Sequence, residues 1–161
     1  MLPRVTRLAV GALALTAFVA ARPAAAQGES KYINPSGLSK PNGFTHVVLA
    51  ADGRTVYIAG QVAVDSAGAL VGGSDFRAQA ERVYGNLRIA LASVGATFAD
   101  VVKTTTFITD VANVATLREI RAKYLDPSRA PANSLIPVPA LARADLLLEI
   151  EAVAVLRTPR R

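Results

Sequence analysis

At 161 residues, with 18 Lys and Arg, 12 Asp and Glu, one histidine and no cysteine, the chain can build no disulfide scaffold and offers no ligand set for a Cys/His metal centre. Its net charge of +6 overstates its basic character, because Arg4, Arg7 and Arg22 sit in a leader-like N-terminus without which 15 basic residues face 12 acidic ones. An excess of that size is scattered along the chain, and with 6 % aromatic residues it makes neither a nucleic-acid surface nor a base-stacking platform.

The first element is that leader. Arg4 and Arg7 precede an apolar, small-residue run over 8–21 that ends in Ala24-Ala25-Ala26, the pattern of a secretory signal peptide over 1–26 cleaved before Gln27. The run is shorter than the roughly 20 apolar residues that span a bilayer, which sets it against the alternative of an uncleaved anchor. The expected product is exported, periplasmic or secreted, with no stable membrane association. Residues 27–43, rich in Ser, Gly, Pro and Asn, read as an extended arm, and 44–157 as a single domain before a basic tail at 158–161.

Within the domain, β-rich runs at 45–50 and 55–59 flank Asp52-Gly53, which predicts an antiparallel hairpin. Over 75–94, Phe76, Ala80, Val83, Leu87, Ala90, Leu91 and Val94 recur at three- and four-residue spacing before Gly95, an amphipathic helix with its C-terminal cap. Arg77, Glu81, Arg82 and Arg88 fall mostly off that stripe and read as solvated surface. The β-branched run 101–108 reads as a strand, and Asp110 or Asn113 as the cap of a second helix presenting Val114, Leu117, Ile120 and Tyr124. Asp126-Pro127 ends it, and the proline-rich stretch to Pro139 admits only short edge strands.

The last strand, about 146–156, alternates with period two. Leu148, Ile150, Ala152 and Ala154 share one face; Glu149, Glu151, Val153 and Val155 share the other. The order β-β-α-β-α-β-β defines an α+β (or α/β) domain with a mixed sheet and both helices on one face. The second face carries apolar side chains and no helices, so self-association is expected to cover it. No G-x-S-x-G elbow, P-loop, dinucleotide fingerprint, zinc signature or EF-hand loop occurs, and Gly72-Gly73-Ser74 is a lone glycine pair, so neither metal nor cofactor is expected.

Four segments, in order and spacing, resemble the RidA (YjgF) family of reactive-intermediate deaminases. They are Ala59-Gly60-Gln61, Gln79-Ala80 with Asn86-Leu87, the strand from Asp100 to Phe107, and Glu149 to Val155. The resemblance spans about 45–155 and implies a chorismate-mutase-like fold, a homotrimer, and ligand clefts between subunits. In catalytic members an arginine in the segment matching Pro131-Ala132-Asn133-Ser134 holds the substrate carboxylate, and a glutamate on the last strand positions the attacking water. Here Glu149 matches the glutamate, but Asn133 occupies the arginine's position, and a neutral amide cannot supply a charged, bidentate fork.

Other departures lie nearby. Ala59 replaces a hydroxyl residue, Leu135 sits where some members have cysteine, His46 where many have tyrosine, and Arg118 where the imine-hydrolysing branch has asparagine. An Arg–Asn exchange between positions 118 and 133 would keep a cation in the cleft; surface exposure of Arg118 is the plainer reading. Glu149 is the catalytic candidate, although on a strand it can instead pair with a neighbouring subunit, and Gly60, Asn133, Leu135, Arg118 and His46 are substrate-binding candidates. Histidine can exchange a proton near neutrality, and His46 can equally be a hydrogen-bonded strand residue. Gly60 brings backbone N–H groups near a ligand or permits a bend.

Two functions compete on this reading. One is hydrolysis of small reactive imines or enamines of the 2-iminopropanoate and 2-iminobutanoate type; the other is an exported, non-catalytic trimer that binds a small molecule in the same clefts. A different amide-like or enamine substrate lies between them. Ribonuclease activity finds no support, since the chain lacks paired histidines and a basic aromatic surface.

Overall fold

The structure is a computed structural model that describes residues 28–157; the leader-like segment and the basic tail lie outside the described residues. The first strands are β1 (Lys31–Ile33), β2 (Val47–Leu49) and β3 (Gly53–Gln61), followed by helix α1 (Phe76–Ala92) and β4 (Val101–Ile108). Helix α2 (Val114–Arg121), β5 (Ala132–Pro137) and β6 (Leu148–Arg157) complete the domain. Four strands form a mixed sheet in the order β3-β6-β4-β5, antiparallel except for the β4–β5 pair, and β1 and β2 form a separate two-stranded ribbon.

The expected hairpin across Asp52-Gly53 does not form. β2 pairs with β1, with Val48 opposite Tyr32, whereas β3 starts at Gly53 itself and pairs with β6 from Gly53↔Arg157 to Gln61↔Ile150. The long-range pairing wins because β6 matches the whole of β3 and buries Ile58 and Ala152 under α1, while the three-residue β2 leaves Val47 and Leu49 exposed. Thr45, expected in that hairpin, instead makes a parallel bridge to Ala132 and donates its N–H to the Pro131 carbonyl at 3.2 Å.

Helix α1 forms where the periodicity predicts. Asp75 caps it by accepting from the Arg77 and Ala78 N–H groups, Phe76, Ala80, Val83, Leu87 and Leu91 are buried, and Gly95 follows the helix at φ 75°. Val94, expected on the stripe, lies past the helix end and is exposed. Ahead of α2, Asp110 accepts from the Ala112 N–H of a 3-10 turn that feeds the helix; Asn113 makes no side-chain cap. Leu117 and Ile120 join α1 and the even-numbered β6 residues in one core, so both helices lie on one face of the sheet.

The off-stripe charges of α1 are less idle than expected. Glu81 binds Lys123 and accepts from the Tyr124 hydroxyl at 2.8 Å, and these hydrogen bonds hold its carboxyl below the usual range; Arg77 pairs with Glu119 on α2 at 2.6 Å. The helices are thus tied by charge as well as by packing. No helix among the described residues is long and apolar enough to cross a membrane.

Candidate functional site

Strand alternation divides the candidate residues into two groups on opposite faces of the sheet. On β4, Val101, Thr104, Thr106 and Ile108 are buried toward the helices, so Lys103, Thr105 and Phe107 point the other way. In register with Phe107 comes Glu149, and with Thr105 comes Glu151, which places both carboxylates on the helix-free face.

Glu149 crosses to β3 and lies against Gly60. A Cβ built on Gly60 would overlap Oε1 of Glu149 and fall 2.6 Å from its Cδ, so only glycine leaves room for the carboxylate at that point. The β3–β6 register slips between Ile58 and Gln61, a bulge of the kind that re-aims side chains beside functional sites. Glu149 and Gly60, singled out separately in the sequence, therefore form one unit. Beside it, Tyr57, Ala59, Lys103, Thr105, Glu151 and Val153 line an open cavity of about 400 Å³. Lys103 donates to Ser134 Oγ at 3.0 Å and to the Thr104 carbonyl at 2.6 Å; burial pushes its ammonium pKa down, and Glu151 opposes the shift.

Asn133 belongs to the other face. Opposite Thr104 on β4, its Oδ1 accepts from Thr104 Oγ1 at 2.9 Å and Thr106 Oγ1 at 3.2 Å, both on buried threonines. Those bonds orient the amide so that its Nδ2 is available to donate. Leu135, two residues along and opposite Thr106, packs on the core. His46 adjoins the Thr45–Ala132 bridge at the start of β5, but its ring is engaged with the arm: Nε2–H donates to the Ser39 carbonyl at 2.8 Å, and Phe44 packs edge-on at 5.2 Å. Arg118 is exposed on α2.

Sequence reasoning missed two basic side chains. Lys103 was hidden inside a β-branched run, although its alternation with Thr105 places it on the face of Glu149. Arg121, one turn beyond Arg118, is half-buried and rests on Gly43, ahead of the Thr45 bridge. The basic pair three residues apart on α2, with no carboxylate four residues from either, was its available signal.

A mixed sheet covered by two helices on one face, with a carboxylate seated on a Gly-Gln bulge of the other, defines the class, and comparison with known proteins identifies it. Residues 37–156 match the family described as Endoribonuclease L-PSP, and the chain belongs to that RidA/YjgF family. Among curated relatives, a RutC family protein of Synechocystis is 36 % identical over 129 residues, covering 80 % of this chain and 98 % of the relative. The human 2-iminobutanoate/2-iminopropanoate deaminase is 38 % identical over 103 residues, 63 % of this chain and 73 % of the human protein. Among solved structures, the Rid family protein YyfB of Yersinia pestis, described as of unknown function, superimposes with a TM-score of 0.72 at 43 % identity, covering 80 % of this chain and all of that one.

Proposed function

We propose that the protein is a hydrolase of small reactive imines or enamines, of the class named for its deaminase relatives, working in clefts between copies of itself. The observation that carries the reading is the seating of Glu149 on Gly60, at the position that matches the family's water-orienting glutamate. In the proposed reaction Glu149 takes a proton from water as its oxygen bonds to the C=N carbon. Glu149 returns that proton to the nitrogen of the carbinolamine; the C–N bond then breaks as Glu149 takes the hydroxyl proton and C=O forms, and the released ammonia carries the proton away as ammonium, leaving an oxo acid.

Strand geometry supports the shared cleft. Asn133 and Glu149 face opposite sides of one sheet, so they can meet the same small ligand only if different copies of the chain contribute them. The helix-free face supports the same association, since Tyr57 stands 81 % exposed on it beside Val153. Three copies is the number that the family resemblance implies, and export is the reading that the leader-like residues 1–26 support.

A second reading, a binding protein without hydrolysis, is favoured by Asn133: hydrogen-bonded to two threonines, it offers a ligand a neutral amide in place of a charged fork. Ribonuclease activity is not proposed, because the single histidine already donates to the Ser39 carbonyl.

The deciding experiment follows ammonia release from freshly generated 2-iminopropanoate and 2-iminobutanoate, with the purified protein beside its Glu149→Ala variant. Acceleration over buffer that falls by about 10²–10⁴-fold in the variant is expected for loss of a general base. No acceleration by folded, associated protein would sink the hydrolase and leave the binding protein.

A further inference from the structure

Asn133 is a neutral amide, so charge recognition of a substrate carboxylate would fall to a residue elsewhere, and the structure offers a cation that the sequence did not single out. Arg121 ends α2 with its guanidinium laid on the backbone of Gly43. A Cβ at that glycine would overlap Nη2 and lie 3.2 Å from Cζ. Its one hydrogen bond is long, from Nη2 to the Asn42 carbonyl at 3.4 Å. Among the described residues neither Arg121 nor Arg118 forms an ion pair.

A half-buried guanidinium with most of its five donors unused by the protein is expensive to keep unless something anionic completes it. Burial and the neighbouring Arg118 both press its pKa down, while Tyr84 opposes them. The helix dipole favours cations in this last turn, but solvent-exposed ones satisfy it equally; it gives no reason to bury Arg121 against Gly43. The location is also specific. Gly43 lies two residues before Thr45, whose bridge to Ala132 sets this segment along the start of β5, next to Asn133.

We infer that Arg121, assisted by Arg118 one turn earlier, binds the carboxylate of a small oxo or imino acid at the Asn133 edge of the cleft. The inference rests on the hydrolase reading for the location of the cleft, and it assigns substrate charge recognition to α2 in place of β5. Arg121 supplies the permanent charge and planar fork, and Asn133 Nδ2 a neutral donor beside it.

The test measures binding of 2-oxobutanoate, the stable product of the imine, and of its uncharged analogue 2-oxobutanamide by titration calorimetry. The purified unsubstituted protein is expected to prefer the carboxylate. Arg121→Gln is expected to weaken 2-oxobutanoate binding about tenfold or more while leaving the amide unchanged, Arg121→Lys to recover part of the loss, and Arg118→Gln to cost only a few-fold. Equal binding of 2-oxobutanoate by Arg121→Gln and the unsubstituted protein would overturn the inference, as would no binding by either. A parallel loss for acid and amide would also overturn it, since that pattern marks a structural role. The two readings fail separately. Glu149-dependent imine hydrolysis with an unchanged KM in Arg121→Gln removes only Arg121, whereas Arg121-dependent binding without hydrolysis removes only the hydrolase.

Discussion

At the scale of single residues, the informative contact is Glu149 on Gly60. The overlap that a methyl group at position 60 would create falls mainly on the end of a flexible side chain, which can swing away without moving backbone. Gly60→Ala is therefore expected to keep the fold, with thermal unfolding shifted by no more than a few degrees. If the proposed hydrolysis holds, it is expected to lower that activity about tenfold or more by displacing the carboxylate from the position assigned to it. A Gly60→Ala protein with full activity would show that the seating of Glu149 is incidental. Both residues were legible in the sequence as separate candidates, one as a family glutamate and one as a glycine before Gln61. Their contact was not, because it depends on a register slip between β3 and β6, strands about 90 residues apart in the chain.

At the scale of elements, the Gln79 and Asn86 positions that helped to carry the family resemblance turn out to be fasteners. Gln79 is fully buried near the start of α1, where its Nε2 donates to the Gly73 and Asp145 carbonyls at 2.6 and 2.8 Å and its Oε1 accepts from the Leu147 N–H at 2.9 Å. One amide thus joins the glycine turn before the helix to the approach to β6. Asn86 Nδ2 similarly reaches the Val62 and Val64 carbonyls, both at 2.9 Å, and holds the loop after β3. Gln79→Leu leaves three part-buried backbone groups without this partner and is expected to lower unfolding stability by about 1–3 kcal/mol, seen as a lower urea midpoint at unchanged slope. A midpoint within error of the parent would assign those bonds no net worth. Helix α1 and strand β4 were readable because their burial is periodic and local. The pairing of β2 was misread because an Asp-Gly turn is a local signal, and the longer β6 competes for β3 from far away in sequence.

For the molecule as a whole, the proposed shared cleft makes the helix-free face the element that governs whether the two groups of site residues can meet. Tyr57, Val153 and Glu151 lie on it beside Lys103, where a single copy leaves them to water. Val153→Arg is expected to yield folded monomers by sedimentation velocity, with native circular dichroism. On the proposed arrangement imine hydrolysis and oxo acid binding fall together in them, since Glu149 and the Arg121–Asn133 edge would no longer come from adjoining copies. Assembly that survives the substitution would move the interface elsewhere. The family, the two helices, the central strands and the face on which Glu149 stands are legible in the amino-acid order, because each depends on short-range periodicity or a local motif. That Asn133 and Glu149 occupy opposite faces, that Gly60 makes room for a carboxylate, and that Arg121 rests on Gly43 emerges in the folded chain alone. Those relations depend on which distant strands pair and in what register, and that is settled by the burial of the whole sheet rather than by any one segment.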